Sequence, residues 1–279
     1  MIRRLALTAL AALGIVSCGA PLMRLPSGPG DAAPDAADAL AQATRACQAI
    51  TTLTAEVAVS GSANGQRVRG RLSAGVAAPA SARLEAVAPF GAPIFIFVAT
   101  GGDASLLLSR ENKVFEHGHP DTVLEAAAGV PLSAEDLLHV LTGCSPGGDV
   151  REGRRTGPDW RIVTTAGGDE SYLHRESASA PWRLVAVVRR AAAAHAWRAE
   201  YREPQAGVPR SIHVVSADAG RMGAAFDLRL VLSQVETNVP LPADVFAFRV
   251  PPGATRMTLD ELRQTGPLAA KSNGPTSKD

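Results

Sequence analysis

An alternation of apolar and polar residues with a period of two runs through much of the sequence beyond Leu53. Val57 and Val59 alternate with small residues, and Leu84 stands between two charged ones. Because successive side chains of a strand point to opposite faces, this pattern predicts antiparallel strands with one dry and one wet face. Further segments of the same kind are 68–72, 160–165, 183–189, 197–202, 210–216 and 225–234.

A helical pattern precedes these strands. Leu40, Ala43, Cys47 and Ile50 recur at steps of three and four residues, which places them on one face of a helix. Asp35 stands just before this stripe, at a position that suits an N-terminal cap. The pattern therefore predicts that the folded domain opens with an amphipathic helix.

Two short helices are expected between the strands. Asp121 is placed to cap the first, which ends at Gly129. Ser133 and Asp136 resemble a capping box at the start of the second, and Gly143 is placed to end it. The order of helix, sheet, helix pair and sheet predicts an α+β fold, in which one strongly curved antiparallel sheet holds helices in its hollow.

The first residues have the pattern of an export signal. Arg3 and Arg4 precede an apolar run over residues 5–16, which is too short to span a bilayer, since a crossing helix needs about 20 residues. The run ends in Ile-Val-Ser before Cys18, which resembles the lipobox of bacterial lipoproteins. We expect cleavage after residue 17 and acylation of Cys18, which would hold the chain at a membrane. The alternative is an ordinary signal peptide followed by a chance cysteine.

The remaining chain divides into three parts. Residues 18–34 are rich in Pro and Gly and lack periodicity, which predicts a flexible tether. Residues 35–255 are expected to form one domain, followed by a short helix and a polar, disordered tail over 256–279. Loss of Arg3 and Arg4 with the signal changes the formal net charge from +1 to −1. This near-neutral chain without a basic run gives no reason to expect nucleic-acid binding.

Two cysteines are left once Cys18 is acylated. Cys47 lies on the apolar face of the first predicted helix, and Cys144 directly follows another predicted helix. Because export places both in an oxidising compartment, we expect them to form a disulfide. The alternative is a pair of separate, buried thiols.

No catalytic motif stands out. Glu116, His117 and His119 form a candidate metal cluster, but His-x-His at a strand end is loosely specific and no further ligand stands at a diagnostic distance. Glu135 and Asp136 suit the positive end of a helix dipole, which explains them without acid–base chemistry. The sequence contains no Gly-x-Ser-x-Gly elbow, phosphate-binding glycine loop or His-Glu-x-x-His motif. We therefore expect no enzyme activity, no metal and no cofactor.

Several stretches together carry a family resemblance. Residues 84–91, Leu-Glu-Ala-Val-Ala-Pro-Phe-Gly, then 101–109 and the helix region 129–143 resemble LolB, the outer-membrane receptor for lipoproteins. Residues 241–254, Leu-Pro-Ala-Asp-Val-Phe-Ala-Phe-Arg-Val-Pro-Pro-Gly-Ala, are more similar to the end of LolA, the periplasmic lipoprotein carrier. Taken in order, these stretches cover most of residues 37–255 and resemble the LolA/LolB superfamily.

The resemblance implies an incomplete antiparallel β-barrel of about ten or eleven strands wrapped around a helical plug. It also implies an apolar cavity that takes the acyl chains of a lipoprotein. The residues that match its membrane-insertion loop are Pro89, Phe90 and Gly91, and an exposed aromatic side chain there would gain stability at a lipid interface. The alternative is that Phe90 packs beneath the turn that follows it.

The alternation of the strands and the helical spacing suggest which side chains face the hollow. An inward side chain can be plain core or can contact a ligand, and the pattern does not separate the two. The candidate cavity residues are Val57, Val59, Leu84, Ile94, Ile96, Leu106, Leu108, Leu137, Leu141, Leu228 and Leu230.

Two classes of function are consistent with these patterns. The first is a lipid-handling receptor on the periplasmic face of the outer membrane, which binds acyl chains of lipoproteins delivered by a LolA-like carrier, or a carrier of another acylated lipid. The second is an interaction or scaffold lipoprotein of the same fold, with its cavity filled by side chains. Gly19, directly after the anchor, is compatible with sorting to the outer membrane. We expect the protein to be a monomer.

Overall fold

The computed structural model describes residues 21–86, 93–190, 196–217 and 225–265. The strands are β1 (Asp31–Ala32), β2 (Thr52–Ala63), β3 (Gln66–Ala77), β4 (Ser81–Ala86), β5 (Phe95–Thr100), β6 (Asp103–Leu108), β7 (Lys113–Gly118), β8 (Val150–Thr156), β9 (Trp160–Thr165), β10 (Glu170–His174), β11 (Arg183–Arg189), β12 (Trp197–Gln205), β13 (Val208–Ser216), β14 (Phe226–Thr237) and β15 (Thr255–Arg256). The helices are α1 (Ala36–Gln48), α2 (Pro120–Ala128), α3 (Ala134–Thr142), α4 (Leu259–Thr265) and a 3₁₀ helix (Ala243–Phe246).

The strands form one curved sheet in the order β1-β8-β9-β10-β11-β12-β13-β14-β2-β3-β4-β5-β6-β7-β15. Neighbouring strands are antiparallel except β7 and β15, which are parallel. The two edge strands in this order do not pair with each other, so the described sheet is an unclosed barrel and the predicted α+β class is confirmed. The sheet has 15 strands instead of the ten or eleven expected. Two-residue β1 and β15 and the polar strand β8 lack the apolar alternation by which strands were recognised.

The centre of the sheet is the long hairpin of β2 and β3, which pair along their whole length from Thr52↔Ala77 to Ala63↔Gln66. Asn64 and Gly65 form its turn with φ of 50° and 73°. Positive φ at both turn residues is the geometry that matches the twist of the flanking strands and favours Asn-Gly. The inward side chains Val57 and Val59 of β2 are buried, as the alternation predicted.

Helix α1 lies against β8–β11 and is joined to α3 by a disulfide between Cys47 and Cys144, with a Cα–Cα distance of 5.5 Å. Asp35 occupies the N-cap position of α1, as predicted, but its side chain makes no capping hydrogen bond. Its carboxylate instead accepts hydrogen bonds from Arg161 Nε and Nη2 at 2.9 and 2.8 Å, because the guanidinium fork matches both oxygens. This ion pair fastens the start of α1 to β9.

Helices α2 and α3 follow the predicted positions, with one difference. The N-cap of α2 is His119 followed by Pro120, not Asp121, because proline suits the first helical position. The capping box of α3 is confirmed: the Asp136 N–H donates to Ser133 Oγ and the Ser133 N–H donates to the Asp136 carboxylate, both at 3.0 Å. Gly143 ends α3 with φ 67°, as predicted.

The segment before α1 is not a free tether over residues 21–32. The Met23 N–H donates to the Glu200 carboxylate, and Arg198 and Arg202 donate to backbone carbonyls of Met23 and Pro21. Further along, the side chain of Leu25 packs on a small apolar cluster formed by β9, β10 and β11. We call residues 21–32 the strap: it crosses the outer face of the sheet from β12 to β8, where β1 pairs.

The domain also extends beyond residue 255 at its other end. β15 pairs with β7, and α4 packs against α2 through Leu262, which is fully buried. The 3₁₀ helix lies on the outer face of β4 and β5, where Arg83 donates to the Val245 carbonyl at 3.2 Å. The predicted tail over 266–279 lies outside the described residues. Within the described part of the chain, no helix has the length and apolar character required to cross a membrane.

Candidate functional site

An apolar cavity of about 80 Å³ lies between the inner face of the sheet and helices α2 and α3. Every side chain that lines it is aliphatic or aromatic, so the cavity offers neither a hydrogen-bond partner nor a charge. The lining residues are Val57, Val59, Leu72, Ala74, Leu84, Phe95, Leu124, Ala128, Val130, Leu132, Leu137, Leu141, Val214, Leu228 and Leu230.

The alternation of side chains along the strands determines which residues of the sheet line the cavity. Paired positions bring Val59 of β2 opposite Leu230 of β14 and Val57 opposite Leu72 of β3, so their side chains form one continuous inner surface. Leu84 of β4 continues the same surface beside Ala74. The helices close it from the other side, because α3 lies against β2, β3, β4 and β13.

Charged groups near the helices lie outside the cavity. Arg189 Nε lies 3.2 Å from Asp136 Oδ1 at the start of α3, which ties this helix to β11. On the same helix, burial lowers the pKa of His139 below its ordinary value, although the carboxylates of Glu135 and Asp136 favour its charged form. The neutral imidazole is therefore the form that fits the folded protein.

At the level of sequence, no protein-family model and no curated protein matches the chain. Among solved structures, a LolA superfamily protein of Nitrosomonas europaea superposes with a TM-score of 0.52 at 11% identity, covering 76% of this chain and 97% of the other. The chain has a LolA/LolB-like fold. A DUF1329 family protein of Desulfovibrio piger gives a TM-score of 0.49 at 11% identity, covering 78% of this chain and 98% of the other.

The LolA/LolB-like fold brings together most of the cavity residues proposed from the sequence. The candidates that line the cavity are Val57, Val59, Leu84, Leu137, Leu141, Leu228 and Leu230. Leu106 and Leu108 are 0% and 1% exposed and belong to the core beside the cavity. Ile94 is half-buried and packs against that core without lining the cavity.

The inward assignment of Ile96 is wrong. Ile96 pairs with Leu107 of β6 and with Glu85 of β4, both on the outer face, and with Leu107 it lines an outer pocket of about 400 Å³ under the 3₁₀ helix. The inward residues of β5 are Phe95 and Phe97. The alternation of β4 does not predict this, because the face of each β5 residue depends on the register in which β5 pairs with β4 and β6, which the sequence does not fix.

Sequence reasoning also missed several lining residues. Val130 and Leu132 lie in the connection between α2 and α3, where no helical or strand period marks an inward side. Val214 belongs to a strand in which consecutive residues are buried, so alternation is hidden there. Phe95 is the aromatic side chain of the lining, and its inward direction depends on the register of β5 described above.

Two residues of the candidate metal cluster pair with other side chains. The His117 ring nitrogen Nδ1 lies 3.2 Å from the exposed Asp103 carboxylate, and Glu116 pairs with Arg256 at 3.1 Å. Among the described residues, no group of three or more His, Cys, Asp or Glu side chains could hold a metal ion. Cys18 and the loop of Pro89, Phe90 and Gly91 lie outside the described residues.

Proposed function

We propose that this protein is a lipid-handling lipoprotein that binds acyl chains of lipoproteins in the apolar cavity and helps insert them into the outer membrane. The proposal depends on one observation: the space between sheet and helices is lined by apolar side chains alone. Removing an alkyl chain from water into such a space is favoured by about 0.8 kcal/mol for each buried methylene. The chain would be anchored through acylated Cys18 on the periplasmic face of that membrane.

The cavity must widen before it can hold an acyl chain. Its volume of about 80 Å³ is well below the roughly 300–1,000 Å³ of ordinary ligand pockets. The disulfide of Cys144 holds the end of α3 to α1, and Arg189 holds its start to β11. We therefore propose that α2 and the connection over residues 129–133 move away from the sheet, while α3 stays in place.

Insertion into the membrane would use Pro89, Phe90 and Gly91, the proposed insertion loop, which lies between β4 and β5 in the sequence. Ala86, the last residue of β4, pairs with Leu72, which lines the cavity. The strand that precedes the proposed insertion loop in the sequence thus ends beside a strand of the cavity wall. We propose that a monomer receives its cargo from a periplasmic LolA-like carrier and releases it at this loop.

Binding of a fluorescent long-chain fatty acid to the mature chain tests the cavity. We expect saturable binding by the wild type and at least tenfold weaker binding by Ala74→Phe, because a phenyl ring fills the cavity from β3. Ala128→Phe, on the helix side, should act in the same way. Ala58→Phe is the matched control, because Ala58 is exposed on the opposite face of the neighbouring strand. Wild-type affinity in both cavity variants, at unchanged stability, would contradict the proposal.

The second candidate is an envelope interaction protein that uses the fold with a filled cavity. The narrow cavity favours it, because the side chains already occupy most of the space between helices and sheet. Native mass spectrometry of protein extracted from membranes separates the two. Co-purifying acylated species that disappear in Ala74→Phe would support lipid handling. Their absence from the wild type, together with no fatty-acid binding, would favour the interaction protein.

A further inference from the structure

The outer face of the sheet, opposite the cavity, is covered at both flanks by terminal segments of the chain. The strap lies over β8–β12, and the 3₁₀ helix lies over β4 and β5. Between these flanks, the segment after β14 crosses only the start of β2, where Thr52 Oγ1 donates to the Val239 carbonyl at 2.7 Å. Further along the hairpin, the outward residues Ala58 and Ser60 of β2 and those of β3 opposite them are exposed. This central part of the outer face is therefore open to a partner.

Three arginines lie in a row on this open surface. Arg67, Arg69 and Arg71 occupy alternate positions of β3, and all three are exposed, whereas the intervening Val68 is buried. Alternate residues of a strand lie about 6.8 Å apart on the same face. None of the three guanidinium groups makes a hydrogen bond or ion pair with another described residue. We call these residues the arginine row.

Small, uncharged residues stand beside the arginine row. The β2 residues opposite Arg67, Arg69 and Arg71 are Ser62, Ser60 and Ala58. Because these side chains are short, a broad surface can approach the guanidinium groups without obstruction. The guanidinium groups therefore project beyond the short side chains of the neighbouring strand.

Acidic groups on this face do not neutralise the arginine row. Asp227 of β14 lies beyond Ser62 and is bound to His213 Nε2 at 2.7 Å. Glu56 lies two residues along β2 from the partner of Arg71, a diagonal spacing of about 7–8 Å, and forms no ion pair in the described part of the chain. The row therefore carries a surplus of positive charge.

We propose that the arginine row binds the phosphate groups of anionic lipids, so that the outer face of the sheet lies on a membrane surface. The planar guanidinium fork pairs with phosphate oxygens through two parallel hydrogen bonds. The position of the strap favours a membrane over a soluble polyanion. Pro21, its first described residue, is bound to Arg202 on the same outer face, four strands from β3 and about 19 Å across the sheet. A chain anchored through its N-terminal end would hold this face near the lipid.

This inference does not depend on what the cavity binds. The test uses the mature chain with Cys18→Ser, so that no acyl anchor contributes, and measures co-sedimentation with two kinds of vesicle: phosphatidylcholine alone, and phosphatidylcholine mixed with phosphatidylglycerol. We expect binding to the anionic vesicles only. Binding should weaken as salt is raised from about 0.1 M to 1 M, because the screening length falls from about 10 Å to 3 Å.

The triple variant Arg67→Gln/Arg69→Gln/Arg71→Gln should bind the anionic vesicles about 100-fold more weakly, from the contribution of three arginines near a charged surface. The control is Arg45→Gln/Arg110→Gln/Arg151→Gln, which removes the same charge from exposed positions elsewhere and should bind like the wild type. Equal weakening in both triple variants would overturn the proposal, because net charge alone would then explain binding. Loss of heparin affinity in the row variant without any change in vesicle binding would also overturn it, in favour of a soluble polyanion. Fatty-acid binding should be unchanged in both.

Discussion

Both carboxylate oxygens of Glu200 accept the backbone N–H of Met23, at 2.9 and 3.0 Å, although the two residues are 177 positions apart. Glu200 is fully buried beneath the strap and also binds Arg198 and Arg202. A buried carboxylate is stable only with such partners, since burial without them costs several kcal/mol. Glu200 therefore joins the N-terminal strap to the middle of the sheet.

Glu200→Ala should release the strap. The variant removes the acceptor of the Met23 N–H and the carboxylate partner of Arg198 and Arg202, so we expect the free energy of unfolding to fall by about 2 kcal/mol or more. Hydrogen exchange followed by mass spectrometry should show faster exchange of peptides from residues 21–32. Glu236→Ala is the control, because Glu236 is exposed on β14. Unchanged exchange of the strap in Glu200→Ala would show that this carboxylate does not hold it.

Gly61→Ala should disrupt the pairing of β2 with β14. Gly61 has φ 142°, and a Cβ atom built there would lie 2.0 Å from the Asp227 carbonyl oxygen. Neither strand can give way without losing its ladder, so we expect a loss of about 2–4 kcal/mol in the free energy of unfolding by urea. Gly75→Ala is the matched control, because no atom lies within 4 Å of its added methyl group. Equal stability of the two variants would contradict the described register.

Removing the disulfide should destabilise the domain by up to about 4–5 kcal/mol, because the bridge closes a loop between residues 97 positions apart. Cys47→Ala, Cys144→Ala and the double variant should unfold at similar urea concentrations, since either change breaks the bridge. Thiol labelling of the unfolded, unreduced wild type should leave both cysteines unlabelled. The same unfolding midpoint with and without a reductant would argue against a stabilising bridge.

His139 should make stability depend on pH. Its pKa is lowered in the folded state by burial, so the unfolded chain, with a pKa near 6.5, binds the proton more readily. The free energy of unfolding should therefore be highest above pH 6.5 and fall as the pH decreases below it. His139→Gln should reduce this dependence in urea titrations between about pH 7 and pH 5. The exposed His117→Gln is the control, and an identical pH profile for both variants would count against this role.

Much of the fold could be predicted where one residue pattern determines one structure. The capping box of Ser133 and Asp136 and the left-handed Gly143 define both ends of α3 without help from the rest of the chain. Strands such as β9 and β11 begin and end where their apolar pattern does. These features depend on contacts within a few residues, which the sequence records directly.

The predictions that are wrong concern residues whose contacts or orientation depend on distant parts of the chain. Asp35 was available as a cap, but Arg161 from β9 offers its carboxylate two charge-assisted hydrogen bonds. The strap is held mainly by the Met23 N–H and the Pro21 carbonyl, backbone groups that do not depend on the type of side chain. Its Pro- and Gly-rich composition therefore gives no sign that it binds to the sheet. For Ile96, the register set by strand pairing determines its face, and a shift by one residue reverses it.

The strap also sets how far the domain can stand from its anchor. If Cys18 is acylated, as proposed, only three peptide units separate it from Pro21, which is docked on β12. Fully extended, they reach about 11 Å. With so short a connection to its anchor, the domain can change its orientation on the bilayer but cannot move away into the periplasm. Any soluble partner would therefore have to bind it at the level of the lipid headgroups.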